Sequence, residues 1–330
     1  MFNILQSALY PERYHGFDKE PPFFEGWYYK VVDPSEQTRL AVIAGVLLSP
    51  DKSKQHAFVQ VLNGQTGVAT YHSYPMQKFW AARDKLDVRI GPNRFTADYL
   101  ALDLEEDGQS LSGTVRFVGT TPWPVTLTSP GIMGWYGWLP FMECFHGIVS
   151  LDHTLRGTLA LNGKQVDFMG GRGYVEKDWG KSFPSGYLWM QSNHFEEAGT
   201  SLTAAAAIIP WGQNASRGFV IGFWHDGELY CFATYTDAKE DMLEVDDEQV
   251  RWSLKNQRYR LELQADRAAG GLLHGPTRTE MHKRLSETMQ ASVDVRLTSI
   301  DGIQEEVIFA GVGRNAGLEV YGDLERLLAL

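Results

Sequence analysis

Hydrophobic and polar residues exchange places over short distances along this chain. Twelve runs rich in β-branched and aromatic residues stand out: 27–32, 40–48, 56–62, 86–90, 113–118, 155–161, 165–170, 188–195, 219–224, 259–265, 291–298 and 306–311. Between them lie Asn63-Gly64, Asp107-Gly108, Asn162-Gly163, Asp226-Gly227 and Asp301-Gly302. These dipeptides tolerate the positive-φ backbone of tight hairpins, so strand–turn–strand units are expected. Many short strands and few helical patterns predict an all-β protein, mostly antiparallel. A terminal helical turn is expected at 323–330, and 279–290 has helix-friendly composition without a clear apolar stripe. The acid-rich run 237–248 reads as a solvated loop. Gly311-Val312-Gly313-Arg314-Asn315-Ala316-Gly317 has the wrong spacing for a dinucleotide fingerprint and reads as a turn between strands.

The 330 residues are enough for two domains with real cores. Two β lobes are expected, 1–182 and 183–330, meeting near Phe183-Pro184. The net charge of −11 argues against a nucleic-acid partner, since phosphate binding needs a basic footprint. The two cysteines, Cys144 and Cys231, exclude a disulfide framework and a cysteine-based zinc site. No basic leader is visible, and the longest apolar runs, 40–48 and 203–211, fall short of the roughly 20 residues that cross a bilayer. A cytoplasmic protein with at most peripheral membrane contact is expected. An aromatic load of 17 Phe, 10 Trp and 14 Tyr suits aromatic-rich β structure or a large apolar ligand site. There is no P-loop, nucleophile elbow or zinc-protease helix. His146 and His153 are seven apart with no third ligand nearby, so no metal is expected. Acid–base catalysis or binding remains.

Four segments carry chemistry. In the segment 23–30, alternation places Phe23, Glu25, Trp27 and Tyr29 on one strand face, one carboxylate among three aromatics. Glu25 either acts on a ligand or pairs with a buried arginine or backbone amide. In 173–180, Tyr174, Glu176 and Asp178 share a face opposite Val175, Lys177 and Trp179. Buried together, two carboxylates and a phenol hold one carboxyl protonated, as a general acid requires. Alternatively the face is solvated, or Asp178 caps a turn. In 187–195, Tyr187, Trp189, Gln191, Asn193 and Phe195 alternate aromatics with amides. That pattern suits a pocket wall, or amides that satisfy a bulge. The aromatic segment 135–141 is softer and could be loop packing on a core.

Taken together these segments resemble the tocopherol cyclase family. The match is carried by FFEGWYYK at 23–30, Lys78-Phe79-Trp80-Ala81, 134–140, His146-Gly147 and YVEKDWG at 174–180. It continues through Ser182-Phe183-Pro184, the Trp189/Gln191/Asn193/Phe195 alternation and 316–323. Three departures stand out. The segment before the first motif is Pro11-Glu12-Arg13-Tyr14-His15-Gly16-Phe17, Asp178 replaces an amide, and Tyr187 stands where Trp is usual. Such cyclases are similar to carotenoid hydratases and β-barrel Diels–Alderases. The resemblance implies two lipocalin-like or sandwich-like β lobes, with a ligand cavity at or near their junction. It also implies cofactor-free closure of a chromanol ring, in which the side-chain alkene of a prenylated hydroquinone is protonated and a ring hydroxyl adds to the cation. Glu176 would be the acid, with Tyr174 orienting it. Trp27, Tyr187 and Trp189 would face the cation, Tyr29 would contact the substrate, Gln191 and Asn193 would hold the quinol hydroxyls, and Glu25, His146 or Asp178 would take the phenol proton. A lipid-binding protein without turnover and an isoprenoid hydratase are the alternatives. The binding protein would be favoured by an arginine, such as Arg172, on Glu176.

Overall fold

The computed structural model describes residues 8–106, 108–211, 214–302 and 304–330. It is all-β, as the alternation predicts, and divides into two compact units. One comprises the chain up to Phe183 with Gly271–Leu285; the other comprises Pro184–Gly270 and Ser286–Leu330.

In the first unit the strands are β1 (Phe23–Val32), β2 (Arg39–Leu48), β3 (His56–Asn63), β4 (Ala69–Tyr74), β5 (Phe79–Ala81) and β6 (Asp87–Ile90). They continue as β7 (Asn93–Thr96), β8 (Tyr99–Glu106), β9 (Gln109–Val118), β10 (Cys144–Leu161), β11 (Lys164–Asp167) and β12 (Arg172–Gly180). Their order in the sheet is β4-β3-β2-β1-β12-β10-β9-β8-β7-β6-β5, with β11 on β10. All the strand pairs are antiparallel. Strand β12 therefore lies between β10 and β1, the latter far from it in sequence. The core uses one face of each strand: Trp27, Tyr29 and Val31 of β1 meet Leu40, Val42 and Ala44 of β2 and Val175 and Trp179 of β12. Residues 271–285 are tied to this unit by Gln60, whose side-chain amide donates to the His274 carbonyl and accepts from its N–H, both at 3.0 Å.

The second unit carries β13 (Gly186–Ser192), β14 (Ser201–Trp211), β15 (Asn214–His225), β16 (Glu228–Ala233) and β17 (Lys239–Val245). After these come β18 (Gln249–Lys255), β19 (Tyr259–Asp266), β21 (Met281–Ser299) from Ser286 onward and β22 (Glu306–Gly322), while β20 (Gly271–Pro276) and the start of β21 belong to the first unit. The order is β16-β15-β14-β13-β22-β21-β19-β18-β17, with β20 on β21. Its core is built from Leu188, Met190, Leu202, Ile221, Phe223 and Trp252 with their neighbours.

The hairpin signals are realised where they are tightest. Asn162 and Gly163 have φ of 51° and 79°, and Asp226 and Gly227 of 48° and 78°, both residues positive as the two-residue turn demands. Asp107 lies outside the described residues. The expected terminal turn is a helix, Leu324–Ala329, whose first turn is capped by the Asp323 side chain accepting from the Arg326 N–H at 3.1 Å.

Three local expectations are corrected. Residues 281–290 are strand despite their helix-friendly composition: Leu285, Glu287, Met289, Ala291, Val293, Val295 and Leu297 are all buried, a period of two broken only at the register shifts where Thr288 and Thr298 are buried as well. The acidic run contains β17, whose backbone is paired to β18 while most of its side chains are exposed. The 311–317 segment lies inside β22, where Asn315 at φ 49° supplies the irregularity read from sequence as a turn.

Candidate active site

Strand β12 carries the chemistry. Its register puts His146 of β10 directly opposite Asp178 and Ile148 opposite Glu176. Directly opposite and diagonal partners on one sheet face are within side-chain reach, so His146 meets both acids. Its Nδ1 is 2.9 Å from Asp178 Oδ1, and its Nε2 is 3.5 Å from Glu176 Oε2. Tyr174, two residues before Glu176 on the same face, donates its hydroxyl to Glu176 Oε2 at 2.5 Å. Glu176 and Tyr174 are buried, while the Asp178 side chain is 28% exposed. The cluster is therefore closed at one end and open to solvent at the other.

The electrostatics follow from that geometry. Burial alone depresses the His146 pKa, but Asp178 and then Glu176 oppose it, and the net effect lifts it to about 9. His146 is thus an imidazolium at neutral pH, and it holds one proton between two carboxylates. His146, Glu176 and Asp178 also each offer one ligand atom, all within 4.8 Å of one another, a spacing a divalent cation could bridge. His153 is elsewhere in function: its Nδ1 is 3.0 Å from Ser150 Oγ, and burial, then the Arg172 charge, pushes its pKa down to about 3. Arg172 does not salt-bridge the acid either. Its Nε donates to Asp152 Oδ1 at 3.0 Å, and its Nη2 to the other oxygen of the same carboxylate.

The opposite face of β12 holds a different arrangement. Lys177 is fully buried, with Nζ 2.5 Å from Glu25 Oε1 and 2.9 Å from the Pro11 carbonyl, which it shares with the Arg13 carbonyl. Its ammonium lies 5.0 Å from the Trp27 ring and 4.7 Å from the Trp179 ring. Glu25 also accepts from the His15 N–H, at 2.9 and 3.0 Å. Desolvation raises the Glu25 pKa and lowers that of Lys177, each offset in part by its partner. Burial, then the Lys177 charge, drives the His15 pKa well down. A neutral His15 can therefore accept from Lys177 at Nδ1 (3.2 Å) and donate from Nε2 to the Tyr10 carbonyl (3.1 Å). Trp27 Nε1 donates to the Glu12 carbonyl at 2.9 Å. The segment 10–15 is thus bonded onto the core face through the residues of both sequence signatures.

The predicted site residues therefore separate. Glu176, Tyr174, Asp178 and His146 come together. Glu25, Trp27 and Tyr29 lie on the core face, and Tyr29 donates to the Thr96 carbonyl at 3.2 Å. Tyr187, Trp189 and Gln191 lie on the face of β13 turned away from Leu188 and Met190 of the second core, and all three are buried, as is Asn193 beyond the strand end. Two acids on that face escaped sequence reasoning. Tyr187 donates to Glu319 Oε2 at 2.5 Å, and Glu319 is opposite Trp189 in one register and Glu287 in the next. Glu319, the one acid in the otherwise uncharged run 315–322 of β22, was the available signal.

Two antiparallel β lobes with a buried acid cluster on a central strand define a class, and the comparisons identify it. The tocopherol cyclase-like family model matches residues 21–101 and 109–322, and the chain belongs to that family. A chloroplastic tocopherol cyclase of Zea mays is 25% identical over 94% of this chain and 77% of its own. A protein of Oryza sativa subsp. japonica named "Probable tocopherol cyclase, chloroplastic" is 25% identical over 68% of this chain and 58% of its own. Among solved structures, CghA with Sch210972 superposes with a TM-score of 0.56 at 10% identity, over 92% of this chain and 89% of that one. That last likeness is one of fold.

Proposed function

We propose that this chain is a cofactor-independent cyclase that protonates the side-chain alkene of a prenylated hydroquinone, or a related isoprenoid, and closes a chromanol-type ring. The observation that carries the reading is Glu176, buried, bonded to Tyr174 and 3.5 Å from a cationic His146, in a member of the tocopherol cyclase-like family. Alkene protonation needs an acid shielded from water. In the open cluster the mobile proton rests on His146. An apolar substrate that covers the cluster removes the solvent that stabilises separated charges, so imidazolium and carboxylate collapse to neutral imidazole and protonated Glu176. Glu176 then gives the proton to the alkene, and its carboxylate is left beside the tertiary cation. The ring hydroxyl adds to that cation, and its proton returns to the cluster through His146 and Asp178. Nothing is gained or lost overall. Tyr174 orients the acid. In the second unit, the buried face of Tyr187, Trp189 and Gln191 has by itself the mixed apolar and amide character of a ligand wall. Glu25, Trp27 and Tyr29 serve the fold in this reading.

The test is mass spectrometry after anaerobic incubation with a prenylated hydroquinone in heavy water. A chromanol with one deuterium on the former alkene carbon is expected. A product heavier by one heavy-water molecule would make the protein a hydratase, and substrate recovered unchanged would leave only binding. Glu176→Gln should lower turnover by about 10²- to 10⁴-fold with melting unchanged; full activity would remove Glu176 from the acid role.

A further inference from the structure

The aromatic segment singled out in the sequence takes no part in the acid cluster. Residues 117–142 form the longest stretch of the chain without Asp, Glu, Lys, Arg or His, 26 residues in all. Among the described residues, five of the fifteen exposed large hydrophobics fall here: Val118, Val125, Leu127, Trp135 and Phe141. A third of the exposed apolar side chains in a twelfth of the chain is clustering, not the scatter of an ordinary surface.

The local structure explains how they come together. Val125 and Pro130 form an antiparallel bridge, so Leu127 stands near the tip of a tight turn, 70% exposed. The turn closes on itself: Thr126 N–H donates to the Ser129 carbonyl, and Ser129 N–H to Thr126 Oγ1, both at 3.0 Å. Trp138, from the short helical segment Gly131–Trp138, donates its indole N–H to the Leu127 carbonyl at 3.2 Å. That bond brings the tip against the segment bearing Trp135 (45% exposed), stacked on Tyr136 at 4.3 Å, and leading to Phe141 (48% exposed). The tip thus presents leucine and aromatic side chains while the Trp138 indole and the backbone N–H groups of Thr126 and Ser129 find partners within the segment. A surface that enters the headgroup boundary of a bilayer needs both features, because Trp is favoured there and unpaired polar groups are costly.

We propose that the 123–141 segment is a peripheral docking surface for an electrically neutral lipid bilayer. The charge pattern selects that occupant. A chain of net charge −11 is repelled by anionic lipid, and an uncharged tip has no basic residue to bind it. Among the described residues no helix is long and apolar enough to cross a membrane, so docking would be superficial. The proposal is independent of the reaction, because its test reads lipid binding alone.

The experiment is flotation of the full chain with vesicles of phosphatidylcholine. Binding is expected, unchanged at about 0.5 M salt, where surface electrostatics are screened, and no stronger when phosphatidylserine is added. The Leu127→Ser/Trp135→Ser variant should lose about tenfold or more of the bound fraction ratio, by loss of apolar contact. Trp80→Ser, at an exposed tryptophan outside the segment, should bind like the parent. Quenching of tryptophan fluorescence by brominated lipid should fall in the double variant. No flotation with neutral vesicles, flotation that needs anionic lipid and is released by salt, or equal flotation of the double variant would each overturn the proposal. A double variant that instead changes the oligomeric state would reassign the surface to a second copy of the chain.

Discussion

The two faces of β12 each bury charge, and they do so to opposite ends. On the core face one cation meets one anion, and the ammonium of Lys177 is surrounded by Glu25, two backbone carbonyls and His15. The charges balance and the donors are used, so the pair has no proton to lend. On the other face one cation meets two anions, and His146 Nε2 makes no hydrogen bond although Glu176 Oε2 is 3.5 Å away. That face is over-supplied with acceptors and open to solvent at Asp178. A buried charge with every partner in place is architecture; a buried proton with a choice of partners can do chemistry.

The core face should dominate stability. Lys177→Met leaves the Glu25 carboxylate buried without its cation, and should cost about 3–5 kcal/mol. Glu25→Met/Lys177→Met removes both charges, and should recover most of that loss, since an apolar pair in place of a buried ion pair is often neutral. Urea denaturation of the two variants decides the matter. A single variant that costs less than about 1 kcal/mol would mean the pair is no more than a surface-type bridge, and the contrast between the faces would fail.

The other face should show itself in pH. The His146 pKa is raised from 6.5 to about 9 in the folded state. A raised histidine pKa contributes stability that is fully present below the unfolded value and is lost as pH climbs through the folded one. The window is therefore about pH 6.5 to 9, and the shift corresponds to roughly 3 kcal/mol at most. Parent minus His146→Asn in unfolding free energy should fall across that window, and turnover of the parent should fall with a limb near pH 9, where the folded-state imidazolium loses its proton. A difference that is flat with pH would show that His146 is not the proton carrier.

How much of this was legible beforehand follows from what alternation can tell. Period two correctly placed Tyr174, Glu176 and Asp178 together and Lys177 opposite, because that depends on β12 alone. It also grouped Phe23, Glu25, Trp27 and Tyr29 correctly. It cannot say which face of a strand becomes the core, and so it listed Glu25, Trp27 and Tyr29 beside the acids they back onto. Nor can it give register. His146 is 32 residues from Asp178, and their meeting depends on β10 pairing with β12. Within β21 the error had another source: the helix-friendly composition of 279–290 hid the buried alternation from Leu285 to Leu297, which only the whole strand makes plain. The dipeptides at 162–163 and 226–227 adopt positive φ because that demand is local, whereas Asn63-Gly64 and Asp301-Gly302 join paired strands without it.

The smallest expected effect tests the finest distinction within the acid cluster. Tyr174 is buried, and its hydroxyl shares Glu176 Oε2 with the approach of His146. Tyr174→Phe keeps the ring and removes one hydrogen bond, so stability should fall by only about 1–2 kcal/mol. Without that donor Glu176 loses its orientation and one source of anion stabilisation. A carboxylate less stabilised is a weaker acid once protonated, so turnover should drop by about tenfold while substrate affinity holds. The pH limb near 9 belongs to His146 and should stay in place. If instead the limb moves with the tyrosine, the phenol is part of the relay, and the proton reaches Glu176 through Tyr174 rather than from the imidazole beside it.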